Sequence, residues 1–299
     1  MPRPRMHPDQ VDTDPALVRR LVARRFPQWA DLPVTAVPSH GTDHDVYRLG
    51  EQLAVRLPIV AWATAQAARD AEWLPRLAPH LPLALPVTVA LVDAEPGTGY
   101  PFGWSVVEWL PGRDAGCLPG DRAEAAVDLA GFVRALRRVD TTGAPERRPG
   151  ARGGPHTERD DVVRRSVALL GDRVDAPAVL RSWQQSLEAP GWDADVWLHG
   201  DLLAGNLLVV DGRLSAAIDP GGLGVGDPAC DLQPAWNLFR GADRERFLDE
   251  LDTDGPARLR GRGWALSQAV TALPYYWDTN PGMVAQAGSA LELVLADPA

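Results

Sequence analysis

The stretch NLLVVDGRLSAAID (residues 206–219) constrains the fold more than any other part of the chain. Two runs of β-prone residues flank the Asp-Gly pair at 211–212, and Asp-Gly between such runs is a strong signal for a two-residue hairpin turn. Counting back along this hairpin, we expect Asn206 to face Ala217. Because side chains alternate along a strand, Asp219 is predicted on the same face as Ala217 and about 7–8 Å from Asn206.

Polar side chains at the open end of this hairpin suit metal-assisted phosphate chemistry. Asn206 and Asp219 offer an amide oxygen and a carboxylate, which are hard ligands that Mg²⁺ combines with water and substrate phosphates. Asp201 precedes them in the same loop, where a base is needed if a hydroxyl is to attack a metal-bound phosphate. The alternative is a polar loop before an ordinary hairpin, with Asp201 as a cap and Asp219 as a turn residue.

The charge composition limits the classes of molecule that the protein is expected to bind. The chain has 299 residues, with 40 acidic and 30 basic side chains and a formal net charge of −10. This balance argues against nucleic-acid binding and suits a cationic ligand. The chain contains no lysine, so any role that lysine usually takes falls to arginine.

The cysteines, the first ten residues and the lengths of the apolar runs predict a cytoplasmic protein without membrane contact. Cys117 and Cys230 form neither a CxxC pair nor a disulfide framework, which is typical of a reducing compartment. The first ten residues, MPRPRMHPDQ, lack the apolar core of a signal peptide. No apolar run is long enough to span a membrane. Oligomeric state leaves no signature in the sequence.

The chain is predicted to form two lobes, 1–108 and 109–299, in an α+β fold. The first part consists mostly of short β-like runs with one or two helices, including a hairpin around Glu51-Gln52. The second part shows helical spacing of apolar residues. Its segment 141–160 is rich in Gly, Pro and Arg, and is predicted to be a mobile surface loop. Helices are predicted from near Asp121 to Leu136 and at 161–170, 176–188, 243–251, 258–273 and 283–296.

The segment 197–239 resembles the aminoglycoside phosphotransferase family, which has a bilobal protein-kinase-like fold. The match rests on H-x-D-L-x-x-x-N at 199–206, on Asp-Pro-Gly at 219–221 and on GLGVGDPACDL at 222–232. The pattern is specific over this segment and looser over the rest of the chain.

This resemblance implies a role for each residue of the motif. Asp201 is expected to be the catalytic base, and Asn206 and Asp219 are expected to hold Mg²⁺. His199 is expected to support the loop structurally. Asp231 is a candidate substrate contact, with the alternative that it joins Asp227 in capping the next helix and bracing the loop.

A kinase-like fold also needs a cation on a β-strand to hold the nucleotide phosphates, paired with a helix carboxylate. In LAVRLP this cation is Arg56, where the family usually has lysine. Glu72 is its expected partner, with Asp70 as a competitor and a solvated surface charge as the alternative for Glu72. The segment SHGTDHDVYRLG contains no G-x-G-x-x-G, but the backbone N–H groups of Gly41 and Thr42 are expected to bind phosphate.

The resemblance places the purine ring against the backbone between Glu108 and Leu110, with Mg-ATP or Mg-GTP between the lobes. It implies transfer of the γ-phosphoryl group to a hydroxyl of a polar small molecule. An aminoglycoside or related antibiotic is the first choice, and macrolides, peptide antibiotics and amino sugars stay open. Trp277 and Asp278 are candidate contacts to an ammonium-bearing sugar, unless they merely end a core helix. A non-catalytic nucleotide-binding module is the alternative class.

Overall fold

The computed structural model describes residues 5–38 and 42–297. The chain divides into two compact units, one formed by Met1–Pro79 and Ala84–Pro111, the other by His80–Leu83 and Gly112–Ala299. The division after Pro111 lies a few residues beyond the predicted boundary at 108. The first unit is built on a sheet and the second mostly on helices, which confirms the predicted α+β class.

The first unit contains a five-stranded antiparallel sheet formed by β1 (Val34–Ala36), β2 (His44–Leu49), β3 (Leu53–Pro58), β4 (Thr88–Val92) and β5 (Trp104–Glu108). The strand order is β1-β2-β3-β5-β4. The predicted hairpin around Glu51-Gln52 is confirmed as β2 and β3, with Leu49 opposite Leu53. The first helix begins where Asp14 accepts the Leu17 N–H at 2.6 Å, because this carboxylate satisfies a donor that the helix leaves unpaired. This helix is α1 (Pro15–Arg25), and α2 (Thr64–Leu77) follows β3.

The second unit is dominated by helices that follow the predicted apolar spacing. The helix predicted at 176–188 has those bounds, and the others end within a few residues of their predicted limits. The helices are α3 (Ala123–Arg137), α4 (Asp160–Leu170), α5 (Ala176–Glu188), α6 (Pro234–Asn237), α7 (Gly241–Glu250), α8 (Gly255–Tyr276) and α9 (Pro281–Leu295). The strands are β6 (Arg113–Asp114), β7 (Val196–Leu198), β8 (Leu207–Val210), β9 (Arg213–Ala217) and β10 (Gly224–Gly226). None of the helices in residues 5–38 and 42–297 is long and apolar enough to cross a membrane.

The hairpin of β8 and β9 has the predicted turn but a shifted register. Asp211 and Gly212 have φ values of 50° and 80°, which a tight two-residue turn requires. A bulge in β9 changes the pairing, so that Leu207 and not Asn206 faces Ala217. The Asn206 carbonyl instead accepts the Ile218 N–H at 2.8 Å. The predicted register is therefore wrong at the open end, because one extra residue in β9 shifts every position beyond it.

The segment 146–159, predicted as part of a mobile loop, is held by an ion pair within itself and by contacts to β7 and to the residues that follow β10. Arg147 and Glu158 form a two-pronged ion pair at 2.7 and 3.0 Å. The Gly153 carbonyl accepts the Asp227 N–H at 2.8 Å. At Gly153, where φ is +78°, an added Cβ would lie 2.3 Å from Leu198 Cδ1, so the backbone is packed against β7. The composition that suggested mobility instead allows close packing of the backbone.

Helix α8 is central to the packing of the second unit and contacts α4, α5 and α9. Its buried residues include Trp264, which is fully inaccessible to solvent. At Gly261 the helix approaches the short helical turn Pro228–Leu232 so closely that a Cβ would lie 2.7 Å from Leu232 Cβ. This contact determines how near the helix can come to the segment containing Asp227 and Asp231.

Gly261→Ala is expected to lower the free energy of unfolding by about 1–3 kcal/mol, because the added methyl group overpacks the contact with Leu232. Gly288→Ala in α9 is the matched control, since an added Cβ there meets no atom within 4 Å. The control is expected to raise stability by about 0.5–1 kcal/mol through the higher helix propensity of alanine. Urea denaturation of both variants measures the difference, and equal effects would contradict the close approach.

Candidate active site

The loop 199–206 connects β7 to β8 and contains His199, Asp201 and Asn206, while Asp219 lies beyond the end of β9. The Asn206 Nδ2 group donates to the backbone oxygen of Asp201 at 2.9 Å and to its Oδ2 at 3.0 Å. The Asp201 carbonyl also accepts the Leu203 N–H at 2.9 Å, and the Leu203 carbonyl accepts the Asn206 N–H at 2.9 Å. These bonds wind the loop tightly, so Asp201 and Asn206 lie side by side.

A close approach of two backbone segments brings the Asp-Pro-Gly turn at 219–221 against this loop. Gly200 has φ +76°, and an added Cβ would lie 2.7 Å from the Cα of Gly222, so only glycine fits there. A Cβ at Gly221 would lie 3.8 Å from Asp201 Oδ2. Asp219 has φ +52°, a conformation that Asp and Asn adopt more readily than other non-glycine residues. The strand alternation used to place its side chain therefore ends before Asp219.

His199 is a buried bridge within the loop. Its Nδ1 accepts the Asp201 N–H at 3.3 Å, which leaves the proton on Nε2 to donate to the Ile218 carbonyl at 3.2 Å. Burial lowers the pKa of His199 to about 4, against the raising effect of Asp219 and of the Ile218 carbonyl. The imidazole is therefore neutral at physiological pH and links the loop to the end of β9.

Asp231 holds the backbone of the loop through two hydrogen bonds. Its two carboxylate oxygens accept the N–H groups of His199 at 2.8 Å and Gly200 at 2.7 Å, and the residue is 1% exposed. Burial raises the pKa of Asp231, while these two N–H groups and nearby arginines oppose the shift. The predicted substrate contact of Asp231 is therefore wrong, because both oxygens are engaged inside the protein. The bracing alternative describes its position.

Asp227 caps the turn that carries Asp231. It accepts the Ala229 N–H at 2.9 Å and forms an ion pair with Arg260 of α8 at 2.9 Å. Desolvation raises the pKa of Asp227, and the hydrogen bond from Arg260 lowers it. Both acidic residues of GDPACDL thus hold the scaffold of the loop.

Sequence analysis missed Arg152, which contacts the predicted base. Its Nη1 donates to the Gly200 carbonyl at 3.0 Å, and its Nη2 donates to Asp201 Oδ1 at 3.3 Å. With Asn206 on Oδ2, each oxygen of the Asp201 carboxylate has a hydrogen-bond donor. The composition of 141–160 gave no reason to prefer one of its arginines. Only the anchoring of that segment against β7 brings Arg152 to Asp201.

In the first unit, Arg56 of β3 pairs with Asp70 of α2 through a 3.0 Å hydrogen bond, and both side chains are buried. Glu72 instead lies on the exposed side of α2, 3.7 Å from Arg76 of the next helical turn. The expected pairing of Arg56 with Glu72 is therefore wrong. Positions 70 and 72 of a helix face different directions, and only 70 faces the sheet.

The other predicted nucleotide contacts are placed in part. Gly41 lies outside the described residues, and the Thr42 carbonyl accepts from His7 Nε2 at 2.6 Å. The Glu108 N–H donates to the Val87 carbonyl at 3.0 Å, so it is used within the first unit. Leu110 is half-buried and lies two residues beyond the end of β5, so its contact to the nucleotide stays a prediction.

Trp277 follows the last residue of α8, and its indole ring is covered by the Arg173 guanidinium at 4.4 Å from the ring centroid. This face of the ring is thus occupied by a cation of the protein itself. Asp278 beside it is exposed. Contacts of these two residues with an acceptor stay a prediction.

The donor set around the loop suits Mg²⁺ better than a transition metal. Among the described residues, no group of three or more His, Cys, Asp or Glu side chains is arranged to hold a metal ion. Mg²⁺ needs only one or two protein ligands when substrate phosphates and water complete the shell. Because the Asn206 Nδ2 group is bonded to Asp201, its Oδ1 is the amide atom left to meet an ion, with Asp219 as the carboxylate.

The sequence matches the profile of the phosphotransferase enzyme family over residues 34–264. This is well over half of the chain, and the protein therefore belongs to that family. The loop 199–206, the Asp-Pro-Gly turn and Arg56 all fall within the matched region.

Individual relatives agree with this assignment. The chain is 34% identical over 148 residues to streptomycin 6-kinase from Streptomyces glaucescens, which covers 46% of this chain and 47% of that protein. It thus spans about half the length of the curated relative it matches.

Two solved structures show the same fold. The GDP and kanamycin complex of APH(2″)-IIIa aligns over 91% of this chain and 95% of its own, with 15% identity and a TM-score of 0.71. The macrolide 2′-phosphotransferase MphH from Brachybacterium faecium aligns over 96% and 99%, with 25% identity and a TM-score of 0.61. The predicted protein-kinase-like fold is thereby confirmed.

Arg152→Gln is expected to lower the turnover number for phosphoryl transfer by roughly 10- to 100-fold, because Asp201 loses the donor that orients Oδ1. The KM values for nucleotide and acceptor are expected to change less than about threefold, since Arg152 contacts the predicted base. Arg152→Lys restores part of the rate. Arg148→Gln, an exposed arginine of the same segment, is the matched control. Steady-state kinetics measure kcat and KM for each variant. A higher KM with an unchanged kcat would contradict the positioning role of Arg152.

Proposed function

We propose that the protein transfers the γ-phosphoryl group of a nucleoside triphosphate to a hydroxyl group of a small polar molecule, with Mg²⁺ as the cofactor. An aminoglycoside or a related antibiotic is the proposed acceptor class. The observation that carries the proposal is the placement of Asp201 between Asn206 and Arg152, directly against the Asp-Pro-Gly turn. A residue that merely capped a turn would not need two further side chains on its carboxylate.

The chemistry assigned to this chain's residues is limited to positioning and proton transfer. Asp201 accepts the proton of the acceptor hydroxyl as that oxygen bonds to the γ-phosphorus. The bond between the γ-phosphorus and its bridging oxygen breaks in line, and the nucleoside diphosphate leaves. Mg²⁺, held by Asn206 and Asp219, supplies neutralisation of the charge on the phosphates when it is bound.

Arg56 is proposed to bind the nucleotide phosphates in the role that lysine usually has in this fold. Its pairing with buried Asp70 supports this, because the carboxylate holds the guanidinium in one orientation on β3. The planar guanidinium binds phosphate through two parallel hydrogen bonds, unlike an ammonium group. The Leu110 N–H, with Thr42 and Gly41, completes the proposed contacts to ATP or GTP.

The relatives support an antibiotic as the acceptor, and they differ in which antibiotic their names give. The name of the curated relative assigns streptomycin as its acceptor, and that of MphH assigns macrolides. Both acceptors carry hydroxyl groups on ring systems but differ in charge. A metabolite such as an amino sugar fits the same chemistry.

A non-catalytic nucleotide-binding module is the alternative that an experiment must exclude. The melting temperature is measured with and without Mg-ATP and Mg-GTP, and phosphate transfer is then assayed with a panel of acceptors. We expect nucleotide-dependent stabilisation together with transfer to at least one antibiotic. Stabilisation without transfer to any acceptor would favour the module.

Asp201→Asn is expected to lower transfer by at least roughly 10³-fold, because the amide cannot accept the hydroxyl proton. Nucleotide affinity is expected to stay within about threefold, measured by the shift in melting temperature with Mg-nucleotide. Asp193→Asn, an exposed residue ahead of β7, is the control for the loss of one negative charge. Loss of nucleotide binding in the Asp201 variant would mean that this residue holds the nucleotide.

Asp219→Asn is expected to raise the Mg²⁺ concentration for half-maximal nucleotide-dependent stabilisation by roughly tenfold or more, because a carboxylate ligand is lost. Asparagine tolerates the positive φ at this position, so the backbone is retained. Asp252→Asn is the matched control, since Asp252 also has a positive φ of 50° and is exposed. An unchanged Mg²⁺ titration for Asp219→Asn would exclude it as a ligand.

A further inference from the structure

The peptide unit between Leu202 and Leu203, directly after the proposed base Asp201, is held at both of its polar ends. Its N–H group donates to the Asp201 carbonyl at 2.9 Å. Its carbonyl oxygen accepts from Nδ2 of Asn237 at 3.2 Å. Because a peptide unit is planar, its N–H and C=O groups turn together. The hydrogen bond from Asn237 therefore also restrains the hydrogen bond to Asp201.

Asn237 provides this part of the loop with a donor from another element. The carbonyl groups of Asp201 and Leu203 accept hydrogen bonds from within the loop, from the N–H groups of Leu203 and Asn206. The Leu202 carbonyl between them accepts from Asn237 of α6, which lies 35 positions further along the chain. The conformation of residues 201–203 thus depends on α6 as well as on the loop's own bonds.

Helix α6 is itself fixed by contacts to other elements. Trp236 is fully buried, and its Nε1 donates to Asp297 Oδ2 at 2.8 Å. The Ala235 carbonyl accepts from Nε of Arg244 in α7 at 2.7 Å. A helix of a single turn is not stable by itself, so these tertiary contacts hold it in place. They give the donor of Asn237 a fixed position relative to the loop.

The amide of Asn237 is only half used by its surroundings. Its Oδ1 atom is buried, and among residues 5–38 and 42–297 it finds no hydrogen-bond donor. A buried acceptor without a partner lowers stability, so an apolar side chain of similar size would serve the packing of α6 about as well. What the amide contributes is the donor to the Leu202 carbonyl. This points to a role in the geometry of the loop.

We propose that Asn237 is a positioning residue for phosphoryl transfer, because it fixes the Leu202–Leu203 peptide unit and thereby the backbone that carries Asp201. Arg152 and Asn206 donate to the carboxylate of Asp201, whereas Asn237 holds the backbone beside it. The inference rests on the proposed function, since it takes Asp201 as the base. A base displaced by about 1 Å from the acceptor hydroxyl loses much of its effect on the rate.

Asn237→Leu removes both the donor and the unpaired oxygen. With an acceptor that the wild type phosphorylates, kcat is expected to fall by roughly 10- to 100-fold, because the base is no longer held in place. The KM values for nucleotide and acceptor are expected to change less than about threefold. A higher KM with an unchanged kcat would overturn the inference, since Asn237 would then act on substrate binding.

The melting temperature of Asn237→Leu is expected to stay near that of the wild type. The Leu202 carbonyl loses its donor, but an unpaired buried oxygen is removed, and the two changes oppose each other. Asn237→Ala is the second variant, since it removes the same amide without adding a larger side chain. It is expected to show the same loss of kcat, and a normal kcat in a folded protein with either substitution would overturn the inference.

Hydrogen exchange of the Leu203 N–H, followed by NMR, measures the restraint directly and needs no acceptor. In both Asn237 variants this N–H is expected to exchange at least about tenfold faster, because the peptide unit is free to turn. The amides of α3 are expected to exchange at the wild-type rate, which distinguishes a local effect from a loss of global stability. An unchanged rate at Leu203 would overturn the inference even if kcat fell.

Ser182→Ala is the matched control. Ser182 lies in α5 of the same unit, and its Oγ atom is also buried without a hydrogen-bond partner in the part of the chain that the structure describes. Its removal is expected to leave kcat and the exchange of Leu203 unaltered. A loss of kcat as large as in Asn237→Leu would overturn the positioning role, since any loss of a buried polar atom would then slow the reaction.

The inference and the proposed function fail in different ways. Absence of transfer by the wild type to every acceptor would remove the phosphotransferase function, and the role of Asn237 with it. Transfer by the wild type that Asp201→Asn abolishes and Asn237→Leu leaves undiminished would keep the function intact and remove only the role of Asn237.

Discussion

The site depends most on one buried carboxylate. Asp231 accepts the N–H groups of both His199 and Gly200, and so holds the loop that carries Asp201 and Asn206. A buried backbone donor left without a partner costs about 1–3 kcal/mol, so these bonds strongly disfavour other loop conformations. Asp231 in turn lies in the helical turn that Asp227 caps and that packs on α8 at Gly261. The shape of the loop is therefore tied to the helical core.

Three segments distant in sequence meet around Asp201. The 199–206 loop contributes the proposed base Asp201 and Asn206, the Asp-Pro-Gly turn contributes Asp219, and the 146–159 segment contributes Arg152. The close approach of these segments requires glycine at positions 200 and 222, since a Cβ at Gly200 or Gly222 would overlap neighbouring atoms. The same closeness gives the carboxylate of Asp201 a donor on each oxygen. Catalysis that relies on positioning gains from such a rigid arrangement, because little reorganisation is left to the reaction.

Local sequence patterns predicted the secondary-structure elements well, and they predicted strand register and side-chain pairing less well. The Asp-Gly turn, the hairpin around Glu51-Gln52 and the bounds of α5 follow from neighbouring residues alone. The register of β8 and β9 depended on a bulge in β9 that no local signal announced. The partner of Arg56 depended on which side of α2 faces the sheet, and Asp70 and Glu72 are too close in sequence for charge alone to decide.

By itself, the sequence determined the family and the α+β class, and it predicted the roles of Asp201, Asn206 and Asp219, because these are written in short motifs with fixed spacing. Only the tertiary structure decided that Asp231 braces the loop and that Arg152 reaches Asp201. These features join residues tens of positions apart. Such contacts are selected by the packing of whole helices and loops, which composition and local spacing do not encode.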